Sequence, residues 1–101
     1  MTANDPKMLG RTRAVGERVR ALAEEGVSVA DLLRLVQQEY GTDGGRLEAM
    51  AAFRAAFGLH LDDVLVIGAW AGWNIPGCTL DDAGVSKELA PKIQVALKAQ
   101  K

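Results

Sequence analysis

The sequence predicts an all-α protein, a compact bundle of four or five helices with a Trp/Pro/Gly loop ahead of the C-terminal helix. Three observations carry this expectation. Apolar side chains recur along most of the chain at i, i+3, i+4 and i+7, the spacing that places them on one side of a helix. Almost nothing alternates with the period of two that a half-buried strand requires. Glycines also stand where the apolar stripes stop, at Gly26, Gly41 and Gly58, and glycine is the residue favoured just past a helix end.

The chain of 101 residues is 49% hydrophobic and 25% charged, the balance of a globular domain rather than a disordered one. It reads as a single helical domain over 1–101. A chain of this length can bury roughly 60–70% of its unfolded surface without a disulfide. Its one cysteine, Cys78, allows no intrachain bridge and suits a reducing cytoplasm. No apolar stretch follows the basic residues of the N-terminus, so no signal peptide is visible and the expected localisation is cytoplasmic.

The elements follow in order. Asp5 can cap the first helix and Pro6 suits its first position, with Val15, Val19 and Leu22 on one face. Ser28 opens the second helix, and Asp31 three residues on nearly completes a capping box. Val29, Leu32, Leu33, Val36 and Tyr40 form its stripe, and Gly41 closes it. A polar link, Thr42-Asp43-Gly44-Gly45, leads to a third helix in which Leu47, Met50, Ala51 and Phe57 point inward and Glu48 and Arg54 outward.

After Gly58, Leu59 and Leu61 flank a corner, and Asp62 and Asp63 open the next helix, where carboxylates suit the macrodipole. Val64, Leu65, Val66, Ile67 and Trp70 surround that helix on nearly every side. A helix apolar all round is buried among others, so residues 61–71 are expected to form the central helix of the bundle. Gly72 ends it, and Trp73-Asn74-Ile75-Pro76-Gly77 is a loop. Thr79 with Asp82 is expected to cap a short turn stopped by Gly84. The last helix then carries Val85, Leu89, Ile93, Ala96 and Leu97, and either starts near Pro91 or is kinked there.

The uncharged run Val64–Leu80 covers 17 residues, short of the ~20 that span a bilayer, and its second half holds Gly72, Asn74, Pro76 and Gly77. No membrane partner is expected.

Candidate chemistry is sparse. His60, the only imidazole, sits beside two helix-start acids and reads as a corner or capping residue. Cys78 has no placed base that would make it a nucleophile. The acid pairs Glu24-Glu25, Asp62-Asp63 and Asp81-Asp82 show no D-x-D-x-D-G loop for calcium. No glycine-rich phosphate cradle appears. The expectation is therefore no catalytic residue, no metal site, no cofactor and no enzyme activity.

Charge is more informative. Residues 1–23 and 85–101 each carry a net +3, and residues 24–84 carry −7. This pattern suits internal complementarity between the ends and the middle. It also suits an acidic face that attracts a cationic protein. Trp73, in a loop bounded by glycine and proline, is either an interface anchor or a lid over the bundle.

"EEGVSVADLLRLV" keeps a helix-turn-helix DNA-binding regulator open as the alternative, using the basic N-terminal helix. The following helix offers only Arg46 before Leu47-Glu48-Ala49-Met50, in a region of net −7 that repels phosphate, so nucleic acid is not the expected partner.

"LEAMAAFRAAFGLHLDDVLVIGAW", residues 47–70, resembles a helix–Gly-Leu-x-Leu–helix corner of two groups. One is the C-terminal domain of the ribosomal stalk protein. The other is a set of small helical bacterial immunity proteins of polymorphic toxin systems. The stalk domain is α+β, whereas this chain shows no strand pattern. The second resemblance implies a cytoplasmic, stoichiometric inhibitor that binds a toxin domain, and such domains are commonly basic. The expected function is a non-catalytic protein-binding module of that kind, with Asp62, Asp63, Trp73, Asp81 and Asp82 touching the partner. Self-association is a further option, since a dimer can bury a tryptophan-bearing loop.

Overall fold

A computed structural model describes residues 6–99, with side chains described for 12–41 and 45–99. Helix α1 (Pro6–Glu24) ends on a Schellman turn, in which the Val27 N–H donates to Leu22 O and the Gly26 N–H to Ala23 O. Helix α2 (Val29–Phe57) opens on Ser28, whose Oγ accepts the Asp31 N–H at 3.3 Å, as the sequence implies. Its residues are helical throughout except Gly41, at φ 80° and ψ 173°.

That one residue reverses the chain. The position a Cβ would occupy on Gly45 lies 3.6 Å from the Cα of Gln37, a contact between residues eight apart that a straight helix would hold about 12 Å apart. The two arms of α2, 29–40 and 42–57, therefore fold back on each other. The expected polar link shrinks to a single glycine, because only φ above zero is needed for the reversal and glycine supplies it without steric cost. Thr42, Asp43 and Gly44 join the helical backbone of the second arm.

Helix α1 runs parallel to that second arm. Thr12 donates to Glu48, Arg20 donates to Ala56 O, and Gly16 faces Ala52, three contacts each separated by 36 residues in sequence. Small residues make the approach close: a Cβ on Gly16 would lie 3.2 Å from Ala52 O and 3.4 Å from Ala55 Cβ. This corrects the register of the third stripe. Leu47 is 68% exposed and Ala51 is exposed, whereas Ala49, Ala52, Phe53, Ala56 and Phe57 are buried. The row of alanines lets α1 settle onto the arm, and that gain outweighs burying the larger Leu47.

The expected central helix at 61–71 is corrected too. Only Leu61–Val64 is α-helical (α3); Leu65–Ala69 and Ala71–Trp73 are 3-10 turns. The buried residues are Val64, Ile67, Trp70 and Trp73, all 0% exposed. Their spacing of three is the 3-10 period, which puts i and i+3 on one side. Leu65, off that row, is 52% exposed, and Leu61, at the start of α3, is 51% exposed. The segment is central along one edge only.

The loop after Trp73 turns at Asn74 (φ 57°) and Gly77 (φ 93°) and returns beside the 3-10 turns. There the Ala71 N–H donates to Leu80 O at 2.7 Å and the Leu80 N–H to Ala69 O at 2.9 Å. This isolated bridge is the nearest approach to sheet among the described residues. Helix α4 (Asp82–Ala99) starts earlier than expected and runs through both Gly84 and Pro91. Its cap is Asp81, whose Oδ1 accepts the Gly84 N–H at 2.7 Å, and not Thr79. Val85, Leu89 and Ile93 close the core as anticipated. The whole is an all-α bundle with a radius of gyration of 12.8 Å, close to the ~13 Å of a folded chain this long.

The 3-10 packing makes a sharp distinction between two glycines. A Cβ on Gly72 would lie 2.3 Å from Cζ2 of the rigid Trp70 ring, whereas one on Gly68 would meet only the Met50 sulfur at 3.8 Å. Gly72→Ala is expected to cost about 1–3 kcal/mol in urea unfolding followed by circular dichroism. Gly68→Ala is expected to stay within about 0.5 kcal/mol of the parent. Equal effects would refute the packing described.

Candidate partner-binding surface

The five residues expected to touch a partner are placed very differently from one another. Trp73 is fully buried; its Nε1–H donates to Ile67 O at 2.8 Å, and its ring packs edge-to-face with Trp70, centroids 5.1 Å apart and planes at 87°. A ring atom also lies 3.0 Å from where a Gly45 Cβ would be, so the indole plugs the cleft between the two arms of α2. Trp73, expected as either an interface anchor or a lid, lies inside the bundle and exposes no ring surface. The physical reason is the three-residue spacing, which aligns Trp73 with Trp70 on the inner side of the 3-10 turns.

Asp82 is held from within the molecule. Its Oδ1 accepts the Trp70 Nε1–H at 2.8 Å and its Oδ2 accepts Arg34 Nη2 at 2.6 Å. The Arg34 guanidinium also lies over the Trp70 ring, 5.6 Å from its centroid, a cation–π arrangement. The hydrogen bonds from Arg34 and Trp70 hold the Asp82 carboxyl below its ordinary range, and the bond to Asp82 raises Arg34. This clasp ties the first arm of α2, the 3-10 turns and the start of α4 together. Nearby, Gln37 Nε2 donates to Gly72 O at 2.7 Å.

Asp63 is similarly engaged. Its Oδ1 accepts Lys92 Nζ at 3.0 Å and its Oδ2 the His60 N–H at 3.1 Å. The lysine first, and then the backbone bond, lower its pKa. Asp81 is exposed but caps α4. Asp62 alone of the four acids is exposed with no bonded partner among the described residues. Two ion pairs, Arg18–Glu39 and Lys92–Asp63, join a basic end of the chain to its acidic middle, so part of the charge pattern serves internal complementarity.

His60 is the corner residue ahead of α3, as its sequence position suggests. Cys78 is half-buried, its thiol donating to Gly68 O at 3.2 Å while Arg46 Nη1 approaches the sulfur at 3.8 Å. No group of three metal-ligating side chains occurs among the described residues. Arg46, the candidate base-reading residue of the DNA alternative, is thus turned against Cys78.

What sequence reasoning missed is the exposure of three leucines, Leu47, Leu61 and Leu65. On the second arm of α2, exposed Leu47 and half-buried Met50 lie one turn apart; Met50 reaches the backbone at Gly68, and Arg54 Nε donates to Leu59 O at 3.3 Å. Leu61 of α3 and Leu65 of the following turn are exposed as well, and so is Asp62. A signal existed in the sequence for one of them: the i+3 repeat Val64, Ile67, Trp70, Trp73 identifies the inner row and leaves Leu65 off it, whereas Leu61, three residues ahead of Val64, falls on the row and is exposed all the same.

The clasp predicts a pH dependence. Asp82 binds its proton less readily folded than unfolded, so its contribution is complete above the ordinary value of 3.8 and is lost as pH falls through the lowered folded value. Asp82→Asn should lower the urea midpoint at pH 7, with the gap to the parent narrowing below pH 3.8. A gap constant from pH 7 to pH 2 would rule the clasp out.

Comparison with protein-family models, with curated proteins and with solved structures finds no match to this chain.

Proposed function

We propose that the protein acts without catalysis by binding another protein, through the strip formed by Leu47, Leu61 and Leu65 with Asp62 on its rim. The observation that carries the reading is the exposure of those three leucines, at 68%, 51% and 52%. Apolar side chains gathered on one surface with a polar edge have the anatomy of an interaction site. The chemistry-bearing side chains support the same reading, because Cys78, Asp63 and Asp82 are each engaged in holding the fold.

The specific case we favour is an immunity-type protein of the cytoplasm that neutralises a bacterial toxin. The resemblance of residues 47–70 to such proteins supports it, and all four residues named for the strip lie within that stretch. An acid on the rim suits a basic toxin domain, steering its approach more than adding to affinity.

The test is co-expression with the toxin domain encoded in the adjoining reading frame. A stoichiometric complex and restored growth are expected. Leu61→Arg with Leu65→Glu should weaken the complex at least about tenfold, and Asp62→Lys should slow association and flatten its dependence on salt. Binding that survives the leucine substitutions would remove the strip from the proposal. Failure to bind the neighbouring product at all would remove the toxin case, and salt-sensitive sub-micromolar binding to duplex DNA would install the regulator in its place.

A further inference from the structure

The outer side of α4 carries a pattern that is symmetric about its own midpoint. Glu88, Pro91, Val95 and Lys98 fall within about 80° of one another around the helix, opposite buried Val85, Leu89 and Ile93. All four are exposed, Val95 by 67%. Positions 88 and 98 are equidistant from residue 93, and so are 91 and 95. Two copies of α4 laid antiparallel across a two-fold axis at residue 93 would set Pro91 of each against Val95 of the other. The same operation sets Glu88 of each against Lys98 of the other. An interface between identical surfaces requires that reciprocity.

Two further observations suit a second copy. Among the described residues neither Glu88 nor Lys98 has an ion-pair partner. Lys92, which stands one turn from Glu88 and could otherwise neutralise it, is drawn to Asp63 at 3.0 Å. Beside the stripe, Leu59, Asp63, Pro91, Lys92 and Val95 line an open hollow of about 310 Å³. Leu59 gives it an apolar wall, and an incoming valine has a place to seat. The stripe shares no residue with the leucine strip of α2 and α3, so pairing here leaves that surface available.

We propose that the protein forms a two-fold homodimer by antiparallel pairing of α4 with α4 of a second copy, with Pro91 and Val95 at its centre and Glu88–Lys98 ion pairs at both ends. The contact is small for a permanent dimer, so the pairing depends on concentration.

Sedimentation equilibrium of the full chain from about 1 μM to about 1 mM tests this. Concentration-dependent dimer is expected, and Val95→Asp should raise its dissociation constant at least about tenfold. Glu88→Lys and Lys98→Glu should each weaken dimerisation several-fold at low salt, about tenfold at most. An equimolar mixture of those two variants should recover it, because each opposite pair is re-formed across the axis. A monomer at every concentration would overturn the proposal. So would a dimer indifferent to Val95→Asp and to both charge reversals, since it would use another surface. Circular dichroism of each variant separates lost pairing from lost fold.

Discussion

Two indole N–H groups organise the middle of this chain. Trp70 and Trp73 are both fully buried, and a buried indole must find an acceptor for its one donor. Trp73 finds it locally, in Ile67 O, which tightens the 3-10 turns around it. Trp70 finds it across the molecule, in Asp82 at the start of α4. A carboxylate so placed needs a counter-charge, and Arg34 on the first arm of α2 supplies it while lying over the same indole. Remove the three-residue spacing of the tryptophans and the start of α4 loses its tether.

The helices and several of their ends could be read from the sequence for local reasons. Ser28 with Asp31, Gly26 and Gly58 cap or stop helices through bonds made within a few residues. The stripe Val85, Leu89, Ile93 also followed from spacing alone. What could not be read depends on contacts between distant parts. Leu47 and Ala51 looked inward because they are apolar at helical spacing, yet the alanine row beside them fits Gly16 of α1, 36 residues away. Residues 61–71 looked like a helix buried all round because the reading assumed 3.6 residues per turn, and the tryptophans impose three.

The candidate site was legible in its ingredients more than in its arrangement. The acids were placed near helix starts, but a count of charges says nothing of pairing. Asp82 meets Arg34 across 48 positions and Asp63 meets Lys92 across 29. Asp62 differs from Asp63 only in direction, one helical residue apart. That difference leaves one acid exposed without a bonded partner among the described residues and the other in an internal ion pair.

The placement of the tryptophans decides how this protein can be watched. The chain has two, both dry and both hydrogen-bonded inside the bundle. Their intrinsic emission therefore reports the integrity of the interior. It is blind to a guest that settles on the leucines outside, and an optical probe for such an encounter has to be installed on the skin of the molecule.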